Sequence, residues 1–129
     1  MKRYRFCPYC GNKIVSKHLK QEDKRREICS ACERVFYYNS RPCVGALIIK
    51  KGKVLLGKRA RDPYKGYWDI PGGFLESGEH PVEGLIREIR EETGLRIRPK
   101  KILGIFMDKY GSENWDTLNI HYIAEIVRG

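Results

Sequence analysis

The chain has 129 residues, 41% of them hydrophobic, enough for one compact domain with a small appendage and too apolar for wholesale disorder. No apolar run approaches the roughly 18–20 residues that span a bilayer, and no apolar segment follows the basic N-terminus. No membrane partner, no secretory signal and a cytoplasmic location are therefore expected. The net charge of +10 is uneven: residues 1–42 hold 11 Lys/Arg against 4 Asp/Glu, and residues 43–129 hold 15 against 12. A basic first third suits nucleic acid or another anion, or is simply a solvated face.

Two regions separate by composition, with a boundary at the turn-like Asn39-Ser40-Arg41-Pro42. Residues 1–42 contain four of the five cysteines, as Cys7-Pro8-Tyr9-Cys10 and Cys29-Ser30-Ala31-Cys32, with 18 residues between the pairs. Each Cys-x-x-Cys knuckle lets two thiolates reach one ion, and two knuckles complete a closed tetrahedral shell. Disulfides and a redox pair are the competing readings. A cytoplasmic chain disfavours the first, and a redox pair needs no matched second pair. The expectation is a structural zinc bound by Cys7, Cys10, Cys29 and Cys32, stabilising a segment too small to fold on its own core. Four thiolates on zinc would lower the local charge by about 2. Cys43 is left over as a free buried thiol.

Residues 43–129 read as an α+β domain. Val44–Ile49 is an apolar run suited to a buried strand, Lys51-Gly52-Lys53 a turn, and Val54–Leu56 the return strand of a hairpin. A loop over 61–66 leads to Trp68–Ile70 and then to Pro71-Gly72-Gly73, a break no helix would carry. Pro81–Thr93 is the one helix: Pro81 suits its first position and Gly94 the position past its end. Val82, Leu85, Ile86 and Ile89 recur at helical spacing as its apolar face. Ile102–Met107 and Leu118–Val127 read as further strands, so the helix is expected to pack on a mixed sheet.

At about 100° per residue, with Val82 as zero, Leu85, Ile86 and Ile89 fall within about 60° on either side of it. Glu88, Glu91 and Glu92 fall at about 240°, 180° and 280° on another face. Like charges at this spacing repel and need a compensating cation. Arg87 and Arg90 on a solvated acidic face are one answer. A hard divalent ion is the other, favoured by the Gly72-Gly73 turn, whose bare backbone can approach a ligand.

Gly73 to Leu95 fits the pattern G-x5-E-x7-R-E-U-x-E-E-x-G-U at every defined position, U being a bulky aliphatic residue. On that ground the chain resembles the Nudix hydrolases, and the four-cysteine segment resembles the zinc-ribbon members with ADP-ribose, FAD or NADH pyrophosphatase activity. The resemblance implies a Nudix fold preceded by a zinc ribbon, with domains at 1–42 and 43–129. It implies that Glu88, Glu91 and Glu92 ligate catalytic magnesium or manganese, that the Gly72 carbonyl adds a ligand, and that Glu79 and Arg87 form a structural ion pair. Arg90 stays solvated.

The implied reaction is attack of a metal-activated water on a nucleoside diphosphate linked to another moiety. Glu88 and Glu91 are both candidates for the base. Arg59 reads as a phosphate contact or a surface charge. Trp68, after Tyr67, reads as a base-stacking residue or core packing. Asp69 shapes the Gly-Gly turn. The segment 109–117, where NADH-type relatives carry a Pro-rich stretch with Gln and Trp, has Trp115 but no proline, which favours ADP-ribose or a related dinucleotide. The resembled fold usually continues past a strand like 120–127 into a loop with one more metal-binding glutamate, another strand and a helix. The sequence ends at Gly129, so this part is expected to be short or missing, with Glu125 a candidate substitute. Two alternatives accompany the enzyme: a nucleotide sensor with little turnover, and an RNA 5′-cap-type pyrophosphohydrolase using the basic ribbon. A nucleotide-type small molecule is the expected partner, RNA a second, and a homodimer is compatible.

Overall fold

The computed structural model describes residues 4–128. The chain divides into two compact units, Met1–Asn39 and Ser40–Gly129.

In the first unit, β1 (Ile14–Leu19), β2 (Lys24–Cys29) and β3 (Val35–Phe36) form an antiparallel sheet in that order. Register runs from Ile14 opposite Cys29 to Leu19 opposite Lys24. Among its described residues, the buried apolar ones are Cys7, Ile28 and Cys29. That is far too little to hold thirty-odd residues by burial alone.

The second unit centres on β4 (Arg41–Lys50), which starts ahead of the boundary expected at Cys43. Val44, Ala46 and Ile48 alternate along it into the core, each at most 3% exposed. The hairpin to β5 (Lys53–Val54) turns through Lys51 and Gly52, both at positive φ, a type that matches strand twist. β6 (Gly57–Lys58) and β7 (Trp68–Asp69) pair with each other. The Gly-Gly break is itself a strand, β8 (Gly72–Phe74), antiparallel to β4 with Gly72 opposite Gly45. A Cβ on Gly72 would stand 2.1 Å from the Val44 carbonyl oxygen, so this close strand approach requires glycine.

The helix α1 (Pro81–Thr93) starts on His80, whose Nδ1 accepts from the Val82 amide at 3.3 Å. It ends at Gly94 with φ 71°, whose amide donates to the Arg90 carbonyl. Leu85 and Ile89 are fully buried, and Val82 packs at their edge. Ile86 is 39% exposed, contrary to the expected apolar face. The helix is rolled so that its Glu88 side turns toward β8, which carries Ile86 to solvent. β9 (Arg96–Tyr110) and β10 (Trp115–Arg128) run well past the apolar stretches that signal them. β10 lies between two neighbours, parallel to β4 and antiparallel to β9, so backbone pairing extends it through polar positions such as Asp116 opposite Lys109. The sheet order is β5-β4-β10-β9, with β8 beside β4.

Candidate active site and metal centre

In the first unit, the turn at residues 7–10 closes with Cys7 N–H donating to Asn12 O (2.8 Å) and Gly11 N–H to Cys7 O (2.9 Å). The second knuckle closes through Cys29 N–H to Arg34 O (2.9 Å). These turns bring Cys7 Sγ to 3.7 Å from Cys32 Sγ and Cys10 Sγ to 3.3 Å from Cys29 Sγ. All four sulfurs lie within 4.8 Å of one another. Sulfurs bound tetrahedrally at about 2.3 Å from a zinc stand roughly 3.8 Å apart, so the donor set and its spacing fit that ion. The Ala31 and Cys32 amides point at Cys29 Sγ from 3.5 and 3.4 Å and pull its pKa down. The Asn12 amide and then Cys29 bring the Cys10 thiol to about 6. Both shifts favour the thiolate that a metal requires. At Cys32 the bond from the Arg34 amide is outweighed by burial and by the neighbouring sulfurs of Cys29, Cys10 and Cys7, which push its thiol up to about 11. Cys43 stands outside this cluster, half-buried on β4, its thiol pushed up to about 11 by desolvation.

In the second unit, β8 and α1 bring the acidic residues to bare backbone. Glu92 Oε2 accepts the Gly72 amide at 3.0 Å. Glu88 lies over Gly73 so closely that a Cβ there would sit 2.5 Å from its carboxyl carbon. Two adjacent glycines thus make the space into which two carboxylates fold. Desolvation, opposed by the Gly72 amide and reinforced by Glu88, raises the Glu92 pKa.

Arg87 ties these groups together. Its Nε and Nη2 donate to Glu79 Oε1 and Oε2 at 2.8 and 2.9 Å, a bidentate pair, and Nη2 also reaches the Phe74 carbonyl at 3.2 Å. Its Nη1 reaches Glu88 Oε1 at 2.7 Å and Glu91 Oε2 at 3.3 Å. The expected structural pair and the expected ligands are therefore not separate groups: one guanidinium serves both. The Arg87 pair and the Glu76 amide hold the Glu79 carboxyl down at about 2. Gly84 permits this packing, since a Cβ there would meet Leu75 Cδ2 at 2.3 Å and Glu79 Oε2 at 2.8 Å. A glycine inside a helix costs about 1 kcal/mol, and that oddity was the sequence signal for a close contact here. Arg90 is exposed.

Beside Glu92 and Gly72 opens a cavity of about 440 Å³ whose wall includes Lys58, Arg59, Arg61 and Asp69. Arg59 is held on three sides, by the Pro63 carbonyl (2.9 Å), Tyr110 Oη (2.9 Å) and the Asp69 carboxylate (3.6 Å). A guanidinium has five N–H donors, so some remain for a ligand. Trp68 is 64% exposed, which overturns its reading as core, and it does not line this cavity; Lys58 Nζ lies 5.9 Å from its ring centre. Lys58, Arg61 and Tyr110 were missed by sequence reasoning. Lys58 and Arg61 resemble any surface cation, and Tyr110 is 51 residues from Arg59. Glu125 instead pairs with Arg98 and Lys100 across β9–β10. Trp115 is covered by Arg41, whose guanidinium carbon lies 3.5 Å from the ring centre.

Residues 39–127 match the NUDIX domain family, and residues 5–38 match the Nudix N-terminal zinc ribbon. The chain is 37% identical over 119 residues to an ADP-ribose pyrophosphatase of Methanocaldococcus jannaschii, covering 92% of this chain and 66% of that protein. It is 29% identical over 100 residues to the NAD-capped RNA hydrolase NudC of Vibrio parahaemolyticus, covering 78% of this chain and 36% of that protein. The fold is similar to a crystal structure of a NUDIX hydrolase from Nitrosomonas europaea, with a TM-score of 0.81 and 29% identity over 98% of this chain and 69% of that one. The chain thus spans from about a third to two-thirds of the length of these curated relatives. No helix among the described residues is long and apolar enough to cross a membrane.

Proposed function

The chain belongs to the Nudix family with an N-terminal zinc ribbon, and from that premise we propose that it hydrolyses a nucleoside diphosphate linked to a second moiety, of the ADP-ribose type. The observation that carries this reading is the meeting of Glu88 and Glu92 with the Gly72-Gly73 backbone beside a cavity walled by Lys58, Arg59 and Arg61. An acidic cluster next to a basic wall suits a diphosphate: cations on one side, and a place for a charge-neutralising ion on the other.

Glu88, Glu91 and Glu92 would hold magnesium or manganese, with the Gly72 carbonyl at their side. The hard carboxylate donors suit either ion, and the glycine cradle leaves the carboxylates room. Such an ion neutralises the diphosphate and lowers the pKa of bound water. The protein's own part is to orient the substrate. Arg59, fixed by Pro63, Tyr110 and Asp69, presents its remaining donors to phosphate oxygens, and Lys58 and Arg61 add charge. Glu79 holds Arg87, and Arg87 sets the resting positions of Glu88 and Glu91. Water adds to one phosphorus, the anhydride P–O bond breaks, and two phosphate-bearing products leave. Zinc on the four cysteines is structural, because a closed shell offers no open position.

Similarity to a protein named ADP-ribose pyrophosphatase supports the substrate class. The ribbon-and-box similarity to proteins named NAD-capped RNA hydrolase supports a second reading, cap hydrolysis on RNA. Both are tested by one panel: ADP-ribose, FAD, NADH and NAD-capped RNA, with products resolved by ion-exchange chromatography. ADP-ribose is expected to be cut fastest. Turnover should vanish on removal of magnesium and manganese and return on adding either. Glu92→Gln should lower it about 10²–10³-fold, the scale of losing one charge-stabilising group in a site. Turnover that survives complete metal removal overturns the mechanism, and tight ADP-ribose binding without cleavage in saturating magnesium favours a sensor.

A further inference from the structure

We infer that the sheet face turned away from α1 holds the substrate's adenine, with Phe106 and His121 as its platform and Asn119 as the group that selects it. The inference rests on the ADP-ribose reading and names the residues that choose the base.

The faces follow from register. Val44, Ala46 and Ile48 point into the core, and Ile120, Tyr122 and Ala124 stand opposite them on β10. Asn119 and His121 therefore point the other way, and Phe106, opposite Asn119, joins them. His121 stands in one row with Gly104 on β9, Gly45 on β4 and, beyond Gly45, Gly72 on β8. Three of these four positions have no side chain, so neighbouring side chains lie low over the sheet. A Cβ on Gly104 would meet Phe106 Cζ at 2.6 Å. One on Gly45 would meet Ile70 Cδ1 at 3.0 Å and His121 Cδ2 at 3.2 Å.

The two ring centres are 5.2 Å apart with 44° between the planes, and Phe106 is 48% exposed. Burial lowers the His121 pKa against the pull of Asp69, so its ring is uncharged at neutral pH. Together the rings present a π surface on which a base can stack. The row also leads to the acidic site. Gly72 gives its amide to Glu92 and, at about 4.8 Å per strand, lies roughly 10 Å from His121. A ribose and its phosphate fill such a span. Ile70 marks the route, since it meets Gly45 and also lines the cavity beside Glu92.

Asn119 supplies the selectivity. The Thr117 hydroxyl donates to the Asp108 carbonyl at 3.3 Å, so its lone pairs accept from Asn119 Nδ2 at 3.1 Å. That fixes the amide with Oδ1 turned away from Thr117. Among the described residues Oδ1 has no donor. An apolar cover, from a second copy or another protein, would strand this half-buried acceptor. Adenine brings both a flat face for the rings and an exocyclic amine for Oδ1.

The test measures binding to the full chain, loaded with zinc and magnesium, by isothermal titration calorimetry. The probes are AMP and purine riboside 5′-monophosphate, which is AMP without its amine. The parent should bind AMP about 10-fold tighter, the scale of one hydrogen bond to an otherwise unpaired acceptor. Asn119→Leu should bind the analogue as the parent does and lose the preference. Phe106→Leu and His121→Leu should each weaken both nucleotides about 5-fold and keep the preference. A retained preference also shows that fold and Asn119 are intact. Equal affinity for the two probes in the parent overturns the proposal. So does a preference that survives Asn119→Leu, or AMP binding untouched by both ring variants. The expected binding pattern without ADP-ribose turnover would overturn the hydrolysis reading and leave this site standing.

Discussion

The two units reach stability by different routes. The second unit buries Val44, Ala46 and Ile48 from β4, Leu85 and Ile89 from α1, and Tyr122 and Ala124 from β10 in one apolar cluster. Among its described residues, the first buries Ile28 and two cysteines. Where apolar area is scarce, a metal must replace it, and the sulfur cluster stands where a core would be. The polar groups of the two units differ in the same sense. In the ribbon, the Ala31 and Cys32 amides aim at Cys29 Sγ and favour its thiolate. In the second unit, the Arg87 guanidinium, on a helix already fixed by packing, is shared among Glu79 ahead of that helix and Glu88 and Glu91 on it. The ribbon is organised around the ligands of one ion, whereas the acidic site lies beside an apolar core that its carboxylates do not form.

The largest expected effect tests the first half of that contrast. Structural zinc contributes on the order of 10–16 kcal/mol in small metal-folded modules. Chelation, or Cys29→Ser, should therefore unfold residues of β1–β3 while the second unit stays folded, and backbone amide exchange read unit by unit will show it. Loss of protection in both units together would break the comparison. Next in size is Leu85→Ala, a truncation at a fully buried position. It should cost about 2–5 kcal/mol in denaturant unfolding of the second unit and leave zinc content unchanged.

A smaller effect separates site from core. Gly73→Ala inserts a methyl where the Glu88 carboxyl now lies. It should displace that carboxylate and lower turnover about 10–100-fold, the range for perturbing a ligand's support. The melting temperature should move little, because the atom displaced is the end of a flexible side chain. Equal losses in both readouts would show that Glu88 is held for stability.

The smallest effect is in pH. Glu79 is held at about 2 in the folded state, below its ordinary range. Its contribution is thus fully present above about pH 4.5 and is lost as pH falls toward 2, where the unfolded state binds more protons. The difference in stability between parent and Glu79→Gln should shrink across that window in urea titrations. A constant difference would mean that the pair with Arg87 adds no charge-dependent stability.

Much of this was legible without coordinates. Chain-local chemistry carries its own signature: a Cys-x-x-Cys pair closes its own turn, and Pro81 and Gly94 mark helix ends because each suits one backbone geometry. The acidic face of α1 follows from 3.6 residues per turn. Strand lengths were underestimated because pairing depends on a neighbour, and β10 has two. Ile86 was misassigned because helix periodicity gives a face but not the roll of the helix on its sheet.

The sequence by itself determined which residues could bind metal, where the helix runs and which family the chain resembles, since those rest on short fixed spacings. Only the tertiary structure decided what each charge touches. Arg87 reaches Glu79, Glu88 and Glu91 at once because β8 and α1 pack together. Arg59 is held by Tyr110 because a hairpin tip returns to it across 51 residues. Phe6 stays exposed because the ribbon gathers too few apolar side chains to bury it. Such contacts depend on distance in space, and sequence spacing encodes that only within a turn or a helix.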